Sequence, residues 1–404
     1  MSMQTIRHRQ EISWLFQTAL LLFVVTVVIG IANGTKIFGT LDRNVLLTHL
    51  HSGTIGWITI AAVAMALWLF GTAPSAAVRP LTLLMIVSTP LYIAAFFSGN
   101  LPARAVTGVL LLIGILGFWG WILVQAREVG WRALSAPQLA VVLSFSTLVI
   151  GSTLGVLVQV ALATGVNIFG TASGVGGHAA AQIAGYLVLL AIGACEWLLR
   201  RTTGRHWVFT LQALLLFVAG LALSLGALLN LIPLLGLAQL LQIVATVIFI
   251  GRMTPAVLRA PWSTASAERH FAAAAPFLVA NLALLIYVIS IVVAAGGFAE
   301  GVGPPRGPLL AADHAIFVGV MSNVIFGLIR VFTGSDRSSW ADHVLFWGMN
   351  IGVAAFVVVL LVGGTGLERV TAPVMGVSIL LGIVISFVRL RAVTRASAPE
   401  SPSE

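Results

Sequence analysis

Long apolar runs, each of about 20 residues and divided by short polar breaks, recur along the whole chain. A run of that length crosses the hydrocarbon core of a bilayer as a helix, because lipid leaves every backbone N–H and C=O to be bonded within the segment. Composition agrees: of 404 residues, 59% are hydrophobic and only 8% are charged. A soluble domain carries roughly a quarter of its residues as charges, and a membrane β-barrel would show short alternating segments. The chain therefore reads as an all-α polytopic membrane protein.

Twelve transmembrane helices are predicted, at roughly 13–35, 44–71, 80–98, 105–126, 138–165, 177–199, 207–230, 232–251, 271–296, 312–333, 341–363 and 371–390. The seventh and eighth are divided only by Asn230-Leu231-Ile232-Pro233, and without that turn the count would be odd. One transmembrane domain, 13–392, follows a short segment, 1–12, and precedes a polar tail, 393–404, expected to be disordered. The run after Ile12 is long enough to span, so no cleavable signal peptide is expected.

With the N-terminus inside, sixteen of the 21 basic residues fall on the inner side. This positive-inside bias predicts N- and C-termini in the cytoplasm, and a multi-pass protein of a bacterial inner membrane. The net charge of +9 is then a matter of topology, and no nucleic-acid partner is implied. The single cysteine, Cys195, excludes an intramolecular disulfide and a multi-thiolate metal site.

Topology sorts the eight histidines. His8, His206, His270 and His343 lie at inner ends beside arginines and read as interfacial polar residues. His49, His51, His178 and His314 open the second, sixth and tenth spans at the outer side. An ionisable residue in a span usually has a function. On the second span His49, Gly53, Gly56 and Ile60 share one stripe, whose glycines leave a flat surface for a macrocycle or for another helix. At 100° per residue His51 points away from His49, so both cannot ligate one iron from a regular helix. On the sixth, Gln182 and Tyr186 follow His178 at one-turn intervals, as a polar track or as a helix contact.

Twelve spans with internal termini and histidines opening the second, sixth and tenth resemble subunit I of the haem-copper oxidases. Nitric oxide reductases and NnrS-type haem proteins share that broad resemblance. Leu50-His51-Ser52 with Trp57 resembles the segment carrying one ligand of the low-spin haem. His314-x-x-Phe317-x-Gly319 resembles the segment carrying the other. The resemblance implies one bis-histidine haem b held by His51 and His314, with His49 as the rival to His51. His178 matches one copper ligand.

Departures are as informative. Ala312 stands where the catalytic family has its high-spin haem ligand, no His-His pair exists for copper, and Gln182 replaces the family's tyrosine or glutamate. Copper therefore lacks a full ligand set. His178-Ala-Ala-Ala-Gln182-Ile-Ala-Gly185 resembles an NnrS span, with Ala180 replacing its second histidine. The expected function is electron transfer, gas sensing or nitric oxide handling, with a redox partner or a small gas ligand, and no oxygen reduction. If the chain is an enzyme, the resemblance implies an oxidoreductase of the nitric oxide reductase type. A twelve-helix transporter and a non-catalytic partner in a respiratory complex are the alternatives. Oligomeric state is left open.

Overall fold

In the computed structural model, twelve helices are long and apolar enough to cross a membrane, and no described residue forms a strand. The described residues are 7–166, 170–201, 204, 206–297, 304–334, 338–363 and 366–396, so most of the expected tail lies outside them. The helices are α1 (Arg9–Thr35), α2 (Arg43–Phe70), α3 (Val78–Phe97), α4 (Leu101–Val129), α5 (Ala136–Thr164) and α6 (Thr171–Leu198). The second half contains α7 (Trp207–Leu229), α8 (Ile232–Leu258), α9 (Ala267–Ala294), α10 (Arg306–Thr333), α11 (Trp340–Val362) and α12 (Glu368–Val393).

The turn between the seventh and eighth helices is real. Asn230 takes a left-handed φ of 52° and Pro233 stands in the first turn of α8. Asparagine tolerates that conformation, and proline at a helix start loses no hydrogen bond. Side-chain caps fix other ends: Asp42 accepts from the Asn44 amide at 2.7 Å, and Asn100 from that of Ala103 at 2.9 Å. Each such cap stabilises its helix by about 1 kcal/mol.

Three helices lie inside the others. In their apolar windows α2, α6 and α10 are 72%, 72% and 83% buried, against 33–56% for the remaining nine. The outer helices surround them, and α12 packs against α1. With an even number of spans, both ends of the chain lie at one end of the bundle, the terminal end. The distal end lies opposite.

Each inner helix changes from α to π geometry part-way down. The π segments are Ser52–Thr59 in α2, Ala181–Leu187 in α6 and Ala315–Ser322 in α10. A π segment widens the backbone ring by one residue, turns the following side chains off the α-helical register, and occurs frequently at functional sites. Polar side chains join these segments in the bundle centre. The Trp57 indole N–H donates to Ser322 Oγ at 3.1 Å, and Tyr186 Oη lies 3.4 Å from Thr59 Oγ1. Trp57 also stacks on Phe23 of α1 with centroids 4.4 Å apart.

Near the terminal end, buried ion pairs hold the inner helices to the ring. Asp342 of α11 accepts from Arg330 of α10 at 2.8 Å and from Arg389 of α12 at 2.7 Å. Glu196 of α6 accepts from Arg252 of α8 at 2.6 Å.

Candidate functional site

Helices α6 and α10 start at Thr171 and Arg306, ahead of the expected 177 and 312. Hydropathy falls at the glycines before His178 and at Arg306, whereas backbone bonding continues through them. The histidines therefore sit within the helices rather than at their mouths. At 1.5 Å per residue, His51 and His314 each lie roughly 12 Å from the first residue of their helix. All four distal imidazoles are half-buried.

Every one of the four is pinned by Nδ1 to a backbone carbonyl. His49 bonds to Thr26 O of α1 at 2.8 Å, and His178 to Gly151 O of α5 at 2.7 Å. His51 and His314 bond to Leu47 O and Leu310 O of their own helices, both at 2.8 Å. A carbonyl can only accept, so each Nδ1 carries the proton and each Nε2 keeps its lone pair. Among the described residues no protein group hydrogen-bonds any of these Nε2 atoms. This is the arrangement that orients metal-ligating histidines.

The four rings have different surroundings. His49 lies against α1, where a Cβ on Gly30 would come within 3.0 Å of its Cε1. His314 packs on Phe356 of α11, with centroids 4.7 Å apart. His51 turns instead toward α3, where it stacks on Phe96 at 3.8 Å, and it lines one cleft together with His178. Two residues of α2 thus have different neighbours: His49 lies against α1, and His51 turns to α3 and the cleft that His178 also lines.

The glycine stripe also has another use. A Cβ on Gly53 would lie 3.1 Å from Thr26, and one on Gly56 2.9 Å from Leu22, so α1 occupies the surface they leave open. A Cβ on Gly319 would lie 2.5 Å from the Phe277 ring of α9, and Phe317 is half-buried beside it. These glycines seat neighbouring helices. Gln182 and Tyr186 likewise make helix contacts, Gln182 Nε2 donating to Ser152 Oγ at 3.2 Å. His270 differs from the expected interfacial reading: it is buried and bonds Asn323 Oδ1 at 3.0 Å.

Where the resemblance has a high-spin haem ligand, this chain has an alanine. Ala312 is fully buried, and its carbonyl accepts from Asn281 Nδ2 at 2.9 Å. Among the described residues no three His, Cys, Asp or Glu side chains converge. At the cleft beside His51 and His178 the donor set is two imidazoles. Two imidazoles fit the axial positions of a haem, whereas a tetrahedral zinc site needs more donors from the protein. The π segments and the carbonyl partners of the rings were invisible to sequence reasoning; the one available signal was a histidine followed by a glycine-bearing apolar run in three spans.

The chain matches no protein-family model, and no curated protein is similar to it by sequence.

Proposed function

We propose that this protein is an integral membrane haem protein of haem-copper-oxidase-like scaffold. His49 and His314 hold one b-type haem from its two faces, and the protein carries electrons rather than reducing oxygen. One observation supports the reading: His49 and His314 both have Nδ1 pinned to a carbonyl and, among the described residues, no protein hydrogen-bond partner at Nε2. When bound, the haem supplies a one-electron iron couple, and a bis-histidine iron has no open position for a gas.

The chain's own residues do the rest. Thr26 O and Leu310 O set the tautomer and orientation of the two rings. Gly30 leaves space beside His49, and Phe356 covers His314. The charge bias of the loops favours the His49 and His314 end being outside the cytoplasm, where a redox partner would dock.

The test is a pyridine haemochromogen assay with the visible spectrum of the purified protein. A six-coordinate low-spin haem is expected, lost or made five-coordinate by His49→Ala and by His314→Ala. Protein free of haem after expression in haem-replete cells would sink the reading. A haem that survives both substitutions would place the ligands elsewhere.

A further inference from the structure

A serine or threonine hydroxyl inside a helix ordinarily bonds the carbonyl one turn back, at i−4 or i−3. Thr48 does so with Asn44 O at 2.7 Å, Thr107 with Ala103 O at 2.6 Å and Ser146 with Val142 O at 2.9 Å. Among the described residues two helical hydroxyls reach five residues back instead. Thr59 Oγ1 donates to Thr54 O at 3.0 Å, and Ser322 Oγ to Phe317 O at 3.1 Å. Each closes the π segment in which it lies, where the backbone ladder also runs at i−5, as from the Ile60 amide to Ile55 O.

Both hydroxyls have a second partner, on another inner helix. The Trp57 indole N–H of α2 donates to Ser322 Oγ at 3.1 Å, and Tyr186 Oη of α6 lies 3.4 Å from Thr59 Oγ1. Thr59, Ser322, Trp57 and Tyr186 are each no more than 2% exposed. Donors and acceptors balance: each hydroxyl hydrogen goes to its own carbonyl, so its oxygen accepts from the indole or the phenol. An apolar side chain of the same shape would fill the space and do neither.

A π segment that relaxes to α geometry turns one end of its helix against the other by about 100°. Packing decides which end moves. In α2, residues 60–67 are buried all round, none more than 2% exposed, whereas Leu50 is 40% exposed and His49, His51 and Gly53 are half-buried. In α10 the same contrast separates buried 323–330 from 306–310. The distal parts, which carry the histidines, are the parts free to turn.

We propose that Thr59 and Ser322 are positioning residues, whose hydroxyls hold the π geometry of α2 and α10 and so fix the directions in which His49, His51 and His314 face. His51 immediately precedes the π segment of α2, and His314 that of α10. The consequence for ligation rests on the reading of the chain as a haem protein; the lock itself needs no haem.

A disulfide reports the direction of the distal part of α2 whether or not haem is bound. A Cβ on Gly53 would lie 4.0 Å from Thr26 Cβ of α1, inside the range of roughly 3.5–4.5 Å that a disulfide spans. In full-length Cys195→Ser protein, otherwise free of cysteine, Thr26→Cys with Gly53→Cys should therefore cross-link on mild oxidation. A turn of about 100° carries the residue-53 Cα roughly 3.5 Å around a helix of about 2.3 Å radius, so adding Thr59→Val should reduce the cross-linked fraction severalfold. Thr59→Ser, which keeps the hydroxyl, should restore it. Thr59→Ala loses the same hydroxyl with less bulk, should give the same loss, and serves where Thr59→Val does not stay monodisperse. For α10, Ser322→Ala should release haem or convert its low-spin spectrum to five-coordinate, and Ser322→Thr should keep that spectrum.

Equal cross-linking with and without the Thr59 hydroxyl would overturn the lock, whatever the haem content. A parent pair that does not cross-link would contradict the α1–α2 packing on which the proposal stands. An unchanged low-spin spectrum in Ser322→Ala would overturn the role of Ser322. Protein that cross-links as expected yet holds no haem would overturn the haem reading alone and leave the Thr59 lock standing.

Discussion

Removing the Asp342 carboxylate should destabilise the bundle by about 3 kcal/mol, the lower end of the range for breaking a buried ion pair. The structure sets the magnitude. Asp342 is buried and accepts from Arg330 at 2.8 Å, from both terminal nitrogens of Arg389 at 2.7 and 2.8 Å, and from Ser339 Oγ at 2.8 Å. In Asp342→Ala, Arg389 is 19% exposed and can swing toward solvent, so its loss is partly recovered. Arg330 is only 8% exposed and remains in the protein without that carboxylate. The cap of α11 goes as well, because Ser339 and Asp342 form a reciprocal capping box. Asp342→Asn keeps an oxygen acceptor and should cost less. Reversible unfolding in mixed micelles measures the difference, and about 3 kcal/mol corresponds to roughly two powers of ten in the unfolding constant. A loss below about 1 kcal/mol, the worth of an exposed pair, would refute the claim that this carboxylate clamps α10 and α12 to α11.

Other consequences follow from the packing. Gly319→Val should destabilise by about 1–3 kcal/mol through collision with Phe277, and Phe277→Ala in the same chain should recover part of the loss, measured as a double-mutant cycle. Trp57→Phe keeps the stacking on Phe23 but loses the bond to Ser322, for about 1 kcal/mol; an unchanged midpoint would show that this bond does not join the inner helices. Cys195 is buried among apolar neighbours, so a thiol reagent should label it only after unfolding. In a Cys195→Ser background, a cysteine at Leu231 should react with an impermeant reagent from outside intact cells; labelling only after lysis would reverse the orientation drawn from the arginines.

Much of the fold was legible because lipid imposes a simple rule. Apolar runs of spanning length must be helices, and twelve were readable with boundaries good to a few residues except where a helix continues through glycine or a charge. Asn230 and Pro233 marked the one doubtful turn correctly. At the site, the sequence singled out the four distal histidines but arranged them by an ideal helix. Arg104 was counted only as a loop charge, because nothing local shows that α3 carbonyls and Asn44 of α2 would surround it.

By itself, then, the sequence determined the class, the number of spans and the residue types available for ligation, since those depend on hydropathy and chemistry read one segment at a time. Only the tertiary structure decided which three helices are inside and what surrounds each imidazole. Hydropathy cannot distinguish lipid-facing from protein-facing apolar surface. The π segments that link the inner helices form through contacts between distant parts of the chain, such as Trp57 with Ser322. Position within the bundle, not spacing along α2 alone, therefore sets His49 against α1 and turns His51 to Phe96 and the cleft that His178 also lines.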